Sequence, residues 1–254
     1  MTPDSFSDGG KHFDSVAAIR HGLAMIEAGA DILDIGGEST RPGSDPVTAE
    51  EQIRRVLPVI RGLAAETPAL LSIDTTSAAV AEAALAAGAH IVNDISGFRF
   101  DGRMLALLAE SGVPAIAMHT SGPPKTMQKQ VGYGDVVTEV RDHLLGRVRA
   151  AEAAGIDPAN IVLDPGLGFG KLLEHNLALL RRLPELVATG HAVLVGTSRK
   201  SFLGKITGRE VGDRLFATAG SVAMAVAYGA HIVRVHDVAA MVDVVRVAEA
   251  IVRE

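Results

Sequence analysis

The chain has 254 residues, of which 48% are hydrophobic, and a formal net charge of −6. This composition excludes a disordered chain and makes binding through nucleic-acid phosphates unfavourable, so we expect no nucleic-acid partner. The absence of cysteine excludes disulfides, Cys-ligated zinc and a thiol nucleophile, and with no membrane-span or signal-peptide pattern we expect a cytoplasmic protein with no membrane partner.

Seven apolar segments predict buried β-strands, and each delivers polar side chains at its C-terminal end. The predicted strands cover residues 31–37, 70–75, 90–96, 113–120, 161–164, 193–198 and 232–237. Helical periodicity predicts helices over residues 13–28, 49–63, 76–87, 104–111, 135–154, 172–183, 211–227 and 239–252. Residues 1–12 are predicted to be a loop, and residues 121–134, which lack apolar periodicity, are predicted to be a mobile loop.

The alternation of strands and helices implies right-handed βαβ crossovers and a parallel sheet. A doubly wound sheet and a closed barrel both satisfy this pattern. Polar residues at almost every strand end favour the barrel, because all of its loops there face one mouth. We therefore predict a single (β/α)8 TIM-barrel domain over residues 1–254.

The predicted barrel has one strand too few, since a closed one needs eight and the sequence shows seven. We expect the missing first strand to precede Thr2, because the chain opens directly in what resembles a βα loop. The natural gene would then encode roughly 10 or more residues upstream of Met1, about what a strand and its lead-in require.

One glycine-rich segment invites comparison with nucleotide-binding loops. Gly166, Gly168 and Gly170 alternate with other residues and are followed by Lys171. The spacing does not match the dinucleotide fingerprint, and Leu172 stands where a P-loop needs Ser or Thr for magnesium. The segment is therefore predicted to be a generic glycine turn.

Three hydrogen-bonding side chains end three different strands. They are Asp74, Asn93 and Asp164. A single one of them could cap a helix or fix a loop, but three at one barrel mouth are harder to explain in that way. Carboxylates accept hydrogen bonds and an amide both donates and accepts them. Together these groups suit a planar heterocycle with adjacent N–H donors.

Basic side chains follow the last two strands. Lys200 lies after one, and Arg234 and His236 lie after the other, while Arg41 adds a cation on a turn after the first predicted strand. Anion sites recur after the last two strands of TIM barrels, although a solvated rim remains the alternative. His119, by contrast, is interpreted as a structural residue.

Taken in order, these motifs resemble the dihydropteroate synthases of the pterin-binding barrel family over essentially the whole chain. The motifs that carry the resemblance are TPDSFSDGG at 2–10, DIGGESTRPG at 34–43, SIDT at 72–75, VND at 92–94, LDPGLGFGK at 163–171, SRKSFLG at 198–204 and RVHD at 234–237.

The resemblance implies a transferase of folate biosynthesis that is a sulfonamide target. In its reaction p-aminobenzoate displaces pyrophosphate from 6-hydroxymethyl-7,8-dihydropterin pyrophosphate, with Mg²⁺ as cofactor. It implies catalytic roles for Asp164, Lys200, Asp74 and Arg234. The substrate-binding residues that it implies are Asp74, Asn93, Asp164, Lys200, Arg234, His236, Thr40, Arg41, Pro42, Phe169, Ser198 and Phe6. The family's Asn ligand to Mg²⁺ would precede Met1, so no metal ligand is identified in this sequence.

Two alternatives remain open at this point. One is a pterin-barrel methyltransferase that passes a methyl group from a folate to a corrinoid protein. The other is a non-catalytic pterin-binding paralogue, which the missing N-terminal strand suggests. The SRKSF segment at 198–202 and the TRP segment at 40–42 favour the synthase, because in that family they serve aminobenzoate and pyrophosphate.

The helix predicted near residues 217–228 is apolar on nearly all of its faces. A barrel helix needs only one apolar stripe, which packs on the strands. The surplus apolar surface predicts a homodimer, as the family resemblance also does. A helix covered by its own neighbours is the alternative.

Overall fold

The computed structural model describes residues 14–41, 43–129 and 131–252. Within these ranges strands and helices alternate along the chain. The strands are β1 (Ile32–Gly36), β2 (Leu70–Asp74), β3 (Ile91–Asp94), β4 (Ala115–Met118), β5 (Ile161–Asp164), β6 (Leu194–Val195) and β7 (Ile232–Val233). The helices are α1 (Ser15–Glu27), α2 (Ala49–Glu66), α3 (Ala78–Ala86), α4 (Met104–Ser111), α5 (Val136–Ala153), α6 (Leu173–Arg181), α7 (Leu183–Val187), α8 (Ser201–Thr207), α9 (Leu215–Ala227) and α10 (Val238–Val252).

All strand pairs are parallel and follow chain order. Strands β1 to β5 form one sheet, β6 pairs with β7, and a bridge between Leu163 and Val193 joins the two groups. Among the described residues no strand ladder connects β7 back to β1. Sequential parallel strands with an intervening helix are the arrangement of a (β/α)8 barrel.

Side chains alternate between two apolar layers, as the two-residue period of a strand requires. Outward-facing residues such as Leu33, Leu71 and Leu163 belong to the large core between the strands and the helices. Inward-facing residues form a second, smaller core inside the barrel. Its members, each from a different strand, are Ile32, Ile91, Ile116, Val162, Leu194 and Ile232. The polar residues of the barrel mouth lie directly above this inner apolar layer.

Apart from α7 and α8, which have no counterpart among the predicted ranges, the helices match the predicted ones to within a few residues, and the caps explain several ends. The carboxylate of Asp14 accepts hydrogen bonds from the N–H groups of Val16 and Ala17 at the start of α1. The helix predicted over 172–183 corresponds to α6, which ends because Arg182 leaves helical geometry, and α7 follows from Leu183 with Pro184 in its first turn. No helix in the described ranges is both long and apolar enough to cross a membrane.

Strands β6 and β7 are shorter than predicted. The N–H of Lys200 donates to the carbonyl of Thr197, so the chain turns soon after β6 and enters α8. Residues 196–198 and 234–237 therefore line the mouth as loops rather than as strand.

Candidate active site

The candidate site is the layer of inward-facing side chains just above the inner apolar core. Because side chains on one face of a strand recur every second residue, the residue two positions after each core residue also faces inward. Asp34 lies two positions after Ile32 on β1. On three other strands the residue two positions after the inner-core residue is also polar. These are Asn93, Asp164 and Arg234, and β2 adds Asp74 at its last residue.

Arg234 lies at the centre of this layer and connects the last strand with the first two. Its Nη2 lies 2.6 Å from Oδ2 of Asp34 and 2.9 Å from Oδ2 of Asp74. Asn93 donates from Nδ2 to the same Asp34 oxygen at 3.0 Å. Asp34 is thus a site residue that the sequence prediction missed. Its signal was a carboxylate in the middle of an apolar strand, on the same face as Ile32.

The buried carboxylates of this layer hold protons more tightly than free carboxyl groups do. Burial, and then the charge of Asp34, raises the pKa of Asp74, while Arg234 opposes the shift. Burial also raises the pKa of Asp164, against the hydrogen bond from Gly166. Burial alone would lower the pKa of Arg234, but the charges of Asp34 and Asp74 outweigh it and raise that pKa.

Asp164 ends β5 and is oriented by the glycine turn that follows it. Its Oδ1 accepts a hydrogen bond of 2.7 Å from the N–H of Gly166. Gly166 has φ +65°, and a Cβ there would lie 1.9 Å from the carbonyl oxygen of His119. Only glycine fits both the left-handed conformation and the close approach, so this turn is built to present Asp164 rather than to bind a nucleotide.

Lys200 lies opposite this turn. Its Nζ is 4.3 Å from the ring centroid of Phe169, which is within cation–π distance. Burial, followed by the charge of Arg234, lowers the pKa of Lys200 to about 8. The ammonium is therefore mostly charged at neutral pH. Phe169 also packs with Ile95, Met118 and Met127 in an apolar cluster beside the polar layer.

Ser198 and His236 form a pair at the rim. The Nδ1 of His236 lies 2.9 Å from Oγ of Ser198, and the backbone N–H of His236 donates to the same oxygen at 3.1 Å. Loss of water around the ring, and after it the charges of Arg199 and Arg234, lower the pKa of His236 to about 4. The imidazole is therefore neutral at neutral pH, although His236 is an exposed residue.

A cavity of about 700 Å³ opens beside Asp74, between the loops that follow β1, β2, β3 and β4. Thr40 contributes to its wall. Gln52 holds the wall together: it donates to Glu38 at 3.2 Å and accepts from Oγ1 of Thr75 at 3.2 Å. A cavity of this size suits a small organic ligand.

The remaining predicted residues are not brought into this layer. Arg41 is exposed on its loop, and Phe6 and Pro42 lie outside the described residues. Nowhere in the described part of the chain do three or more His, Asp or Glu side chains form a group that could hold a metal ion. His119, interpreted from the sequence as structural, is buried under the glycine turn.

The comparisons with known proteins agree with this geometry. A family model described as "pterin binding enzyme" matches residues 1–236. The dihydropteroate synthase of Synechocystis sp. is 47% identical, over 99% of this chain and 88% of its own length. The Xanthomonas albilineans dihydropteroate synthase with 4-aminobenzoic acid superposes with a TM-score of 0.93 and 47% identity, covering 100% of this chain and 90% of the other.

A third comparison adds a drug complex. The Yersinia pestis dihydropteroate synthase with a sulfonamide has a TM-score of 0.94 and 42% identity, covering 98% of this chain and 90% of that structure. At such identity and coverage the predicted TIM-barrel fold is confirmed, and the predicted family with it. The chain therefore belongs to the pterin-binding enzyme family, among its dihydropteroate synthases.

Proposed function

We propose that this chain joins p-aminobenzoate to 6-hydroxymethyl-7,8-dihydropterin pyrophosphate and so forms 7,8-dihydropteroate and pyrophosphate. One observation carries the proposal. The hydrogen-bonding groups of Asp74, Asn93 and Asp164 meet the cations of Lys200 and Arg234 in a single layer at the barrel mouth. Acceptors for a heterocycle and cations for an anionic leaving group are what this reaction requires.

The pterin would bind with its N–H edge on the acceptors. Oδ1 of Asp74 is buried and has no hydrogen-bond partner within the described part of the chain. An unsatisfied buried acceptor costs roughly 1–3 kcal/mol, so a ligand N–H that reaches it recovers that energy. Asp164 accepts further donors, and Asn93 offers its amide oxygen because its Nδ2 is committed to Asp34. The apolar cluster around Met118 and Ile95 would contact the flat ring.

The chemistry needs no covalent enzyme intermediate. The bond between the exocyclic carbon and the pyrophosphate oxygen breaks, and the oxygen keeps the electron pair. The positive charge left on the carbon spreads into the pterin, where the Asp164 carboxylate stabilises it. The aminobenzoate nitrogen then forms the new bond to that carbon, and its surplus proton leaves to the pyrophosphate or to water.

The rim residues would serve the other two groups. Arg234 and the neutral imidazole of His236 can donate hydrogen bonds to the departing pyrophosphate. Phe169, Ser198, Lys200 and the loop that carries Thr40 and Arg41 would surround the aminobenzoate. We propose that sulfonamides compete for that same subsite, and inhibition that is competitive against aminobenzoate would support this assignment.

A Mg²⁺ requirement is part of the proposal, but the described residues do not fit a preformed metal centre. The carboxylate oxygens nearest the cations are already paired with Arg234. Mg²⁺ commonly reaches such sites together with substrate phosphates and water, and the diphosphate of the substrate suits this behaviour. We assign no step to the ion. Turnover that continues unchanged after exhaustive chelation would remove Mg²⁺ from the account.

We also propose that the protein acts as a homodimer through α9 and α10. Phe216 on α9 is 87% exposed, and Ile251 on α10 is 78% exposed. Met224 and Val247 extend the same pair of packed helices with further exposed apolar surface. Apolar patches of this kind mark interaction surfaces, and a second copy of the chain offers a matching one.

The dimer can be tested with matched variants. Phe216→Glu should convert the protein to a monomer in sedimentation velocity at micromolar concentration. Val16→Glu, at an apolar position that is 60% exposed on α1, is the control and should stay dimeric. A wild-type protein that sediments as a monomer would remove the dimer.

A cytoplasmic location completes the proposal. It is supported by the cysteine-free sequence, which suits a reducing compartment. Fractionation of the source cells, followed by immunodetection, would test it.

Calorimetry tests the substrate assignment without requiring turnover. The chain should bind the pterin pyrophosphate, and Asn93→Leu should lose most of that affinity because two methyl groups replace the amide oxygen and nitrogen. Equal pterin affinity in wild type and variant would contradict the proposed function of this layer.

A further inference from the structure

Lys171 is a buried lysine that none of the roles above uses. Its side chain turns back under the glycine turn, and its Nζ lies 2.9 Å from the carbonyl oxygen of Gly166 and 3.0 Å from that of Phe169. The carbonyl oxygen and Nδ1 of His119 lie 3.3 Å and 3.0 Å away. An ammonium has three hydrogens, and four acceptor atoms surround this one. Every hydrogen therefore has an acceptor, and one hydrogen is shared between two of them.

The surroundings suit a buried cation with hydrogen-bond partners. Burial, and after it the charge of Lys171, lowers the pKa of His119 to about 2, so the imidazole is neutral and Nδ1 can accept. Burial likewise lowers the pKa of Lys171 to about 7, while the nearby charge of Asp164 opposes this shift. A buried lysine is costly, and within the described part of the chain the hydrogen-bond partners of this one are backbone carbonyls and one ring nitrogen.

The two carbonyls that Lys171 holds belong to residues that contact the site. Gly166 orients Asp164, because its N–H donates to Oδ1 at 2.7 Å. Phe169 presents its ring to the ammonium of Lys200 at 4.3 Å. The ammonium of Lys171 thus binds the peptide carbonyl of Gly166, which orients Asp164, and that of Phe169, whose ring faces Lys200.

We infer that Lys171 is a positioning residue, whose ammonium ties the carbonyls of Gly166 and Phe169 to His119 and thereby holds Asp164 and the Phe169 ring in their reactive geometry. The inference rests on the proposed function, because it concerns the same site. Lys171 touches neither substrate and acts only through the turn.

Other side chains also brace this turn, and one provides a matched control. Gln128 donates from Nε2 to the carbonyl of Gly168 at 2.8 Å, and Tyr133 donates to that of Gly170 at 3.1 Å. The carbonyl of Gly168 lies between the two carbonyls that Lys171 binds, and that of Gly170 follows them in the chain. Gln128→Leu therefore removes one hydrogen bond from the same turn without releasing Gly166 or Phe169.

The absence of cysteine allows the charge to be tested separately from the shape. Lys171→Cys introduces the only thiol of the chain. Alkylation of the unfolded variant with 2-bromoethylamine and refolding gives a side chain of lysine length with an ammonium. Alkylation with 1-bromopropane gives a side chain of the same length without charge. Thermal unfolding and circular dichroism establish that both proteins are folded.

The aminoethylated protein should restore kcat and both KM values to within about twofold of wild type. The propylated protein should lose about tenfold to a hundredfold in kcat/KM, which is the range expected for a hydrogen bond to a charged group. The loss should include a raised KM for the pterin substrate, and Gln128→Leu should retain wild-type kinetics. A propylated protein equal to the aminoethylated one would overturn the inference, as would equal losses in Gln128→Leu.

Failure of the proposed function is distinguishable from failure of this inference. A wild-type chain that forms no dihydropteroate refutes the function, while the pterin affinities of the two alkylated proteins, measured by calorimetry, still decide the role of Lys171. If the propylated chain does not refold, Lys171→Met, produced folded in cells, replaces it in the same comparison, and wild-type kinetics in that variant would overturn the inference.

Discussion

Asp164 has two tasks in this account, and two substitutions separate them. One carboxylate oxygen, Oδ1, accepts the N–H of Gly166 at 2.7 Å, which leaves the other for the pterin. Asp164→Asn keeps an acceptor for Gly166 and replaces the other oxygen with an NH₂ group. Asp164→Ala removes both functions.

The structure sets the size of each effect. A hydrogen bond to a charged group contributes roughly 1.5–3 kcal/mol, so Asp164→Asn should weaken pterin binding by about tenfold to 150-fold for each bond lost. Asp164→Ala should weaken it at least as much. It also leaves the Gly166 N–H unsatisfied, which should lower the free energy of unfolding by about 1–3 kcal/mol relative to the Asn variant. For a chain of this length that is about 2–4 °C in Tm per kcal/mol.

Calorimetry with the pterin substrate and thermal denaturation measure the two effects independently. Asp31→Asn, at an exposed carboxylate just before β1, is the control and should change neither. Unchanged pterin affinity in Asp164→Asn would remove Asp164 from the site. Equal Tm values for the Asn and Ala variants would refute the role of the Gly166 hydrogen bond.

Three further predictions follow from the charges. The pKa of Lys200 is lowered to about 8, so its charge is lost as pH rises through that value, and kcat/KM should fall about tenfold from pH 7 to 9; a flat profile over this range would contradict a need for the ammonium. Burial raises the pKa of Asp94 from 3.8 to about 6. The folded state therefore binds this proton more tightly than the unfolded state, and the free energy of unfolding should fall by about 2 kcal/mol as pH rises from 4 to 7. Asp94→Asn should lack this contribution, and parallel pH curves from urea titrations of the two proteins would exclude it. The exposed ion pair between Lys125 and Asp45, 2.7 Å long, joins the loop of Arg41 to the loop after β4. Asp45→Lys should raise KM for aminobenzoate severalfold and adding Lys125→Asp should restore it, whereas a double variant no better than the single one would show that the pair does not position the loop.

The residues at strand ends could be predicted from the sequence because the signal is local. Asp74, Asn93 and Asp164 each follow an apolar run, and parallel strands in a barrel bring their carboxyl ends to one mouth. No long-range contact needed to be known. The same reasoning located Arg234 and Lys200 at the last two strands.

Asp34 and Lys171 could not be found in that way. Asp34 lies within β1, and its role depends on Arg234, 200 positions later in the chain. The inward face of β1 identifies it only once Ile32 is known to belong to the inner core. Lys171 resembled the end of a generic glycine turn, and only the folded chain shows its ammonium returning to the carbonyls of that turn.

The lengths of β6 and β7 and the separation of α6 from α7 were also beyond the sequence pattern. The apolar residues 193–195 and 232–233 are followed by polar residues that line the mouth. Tertiary contacts decide at which residue the hydrogen-bonded pairing of β6 with β7 ends. The prediction that residues 121–134 are mobile stays a prediction. In the structure the residues described there include a short 3₁₀ turn, Met127–Lys129, and Ser121 donates to the carbonyl of Met127 at 2.8 Å.

The most direct test of the account is the reaction itself. The purified chain is incubated with 6-hydroxymethyl-7,8-dihydropterin pyrophosphate, p-aminobenzoate and Mg²⁺, and both products are quantified, dihydropteroate by mass spectrometry and pyrophosphate by a coupled assay. We expect equal amounts of the two products, and no pyrophosphate release above the uncatalysed rate with Lys200→Ala. Binding of both substrates without formation of dihydropteroate would contradict this expectation.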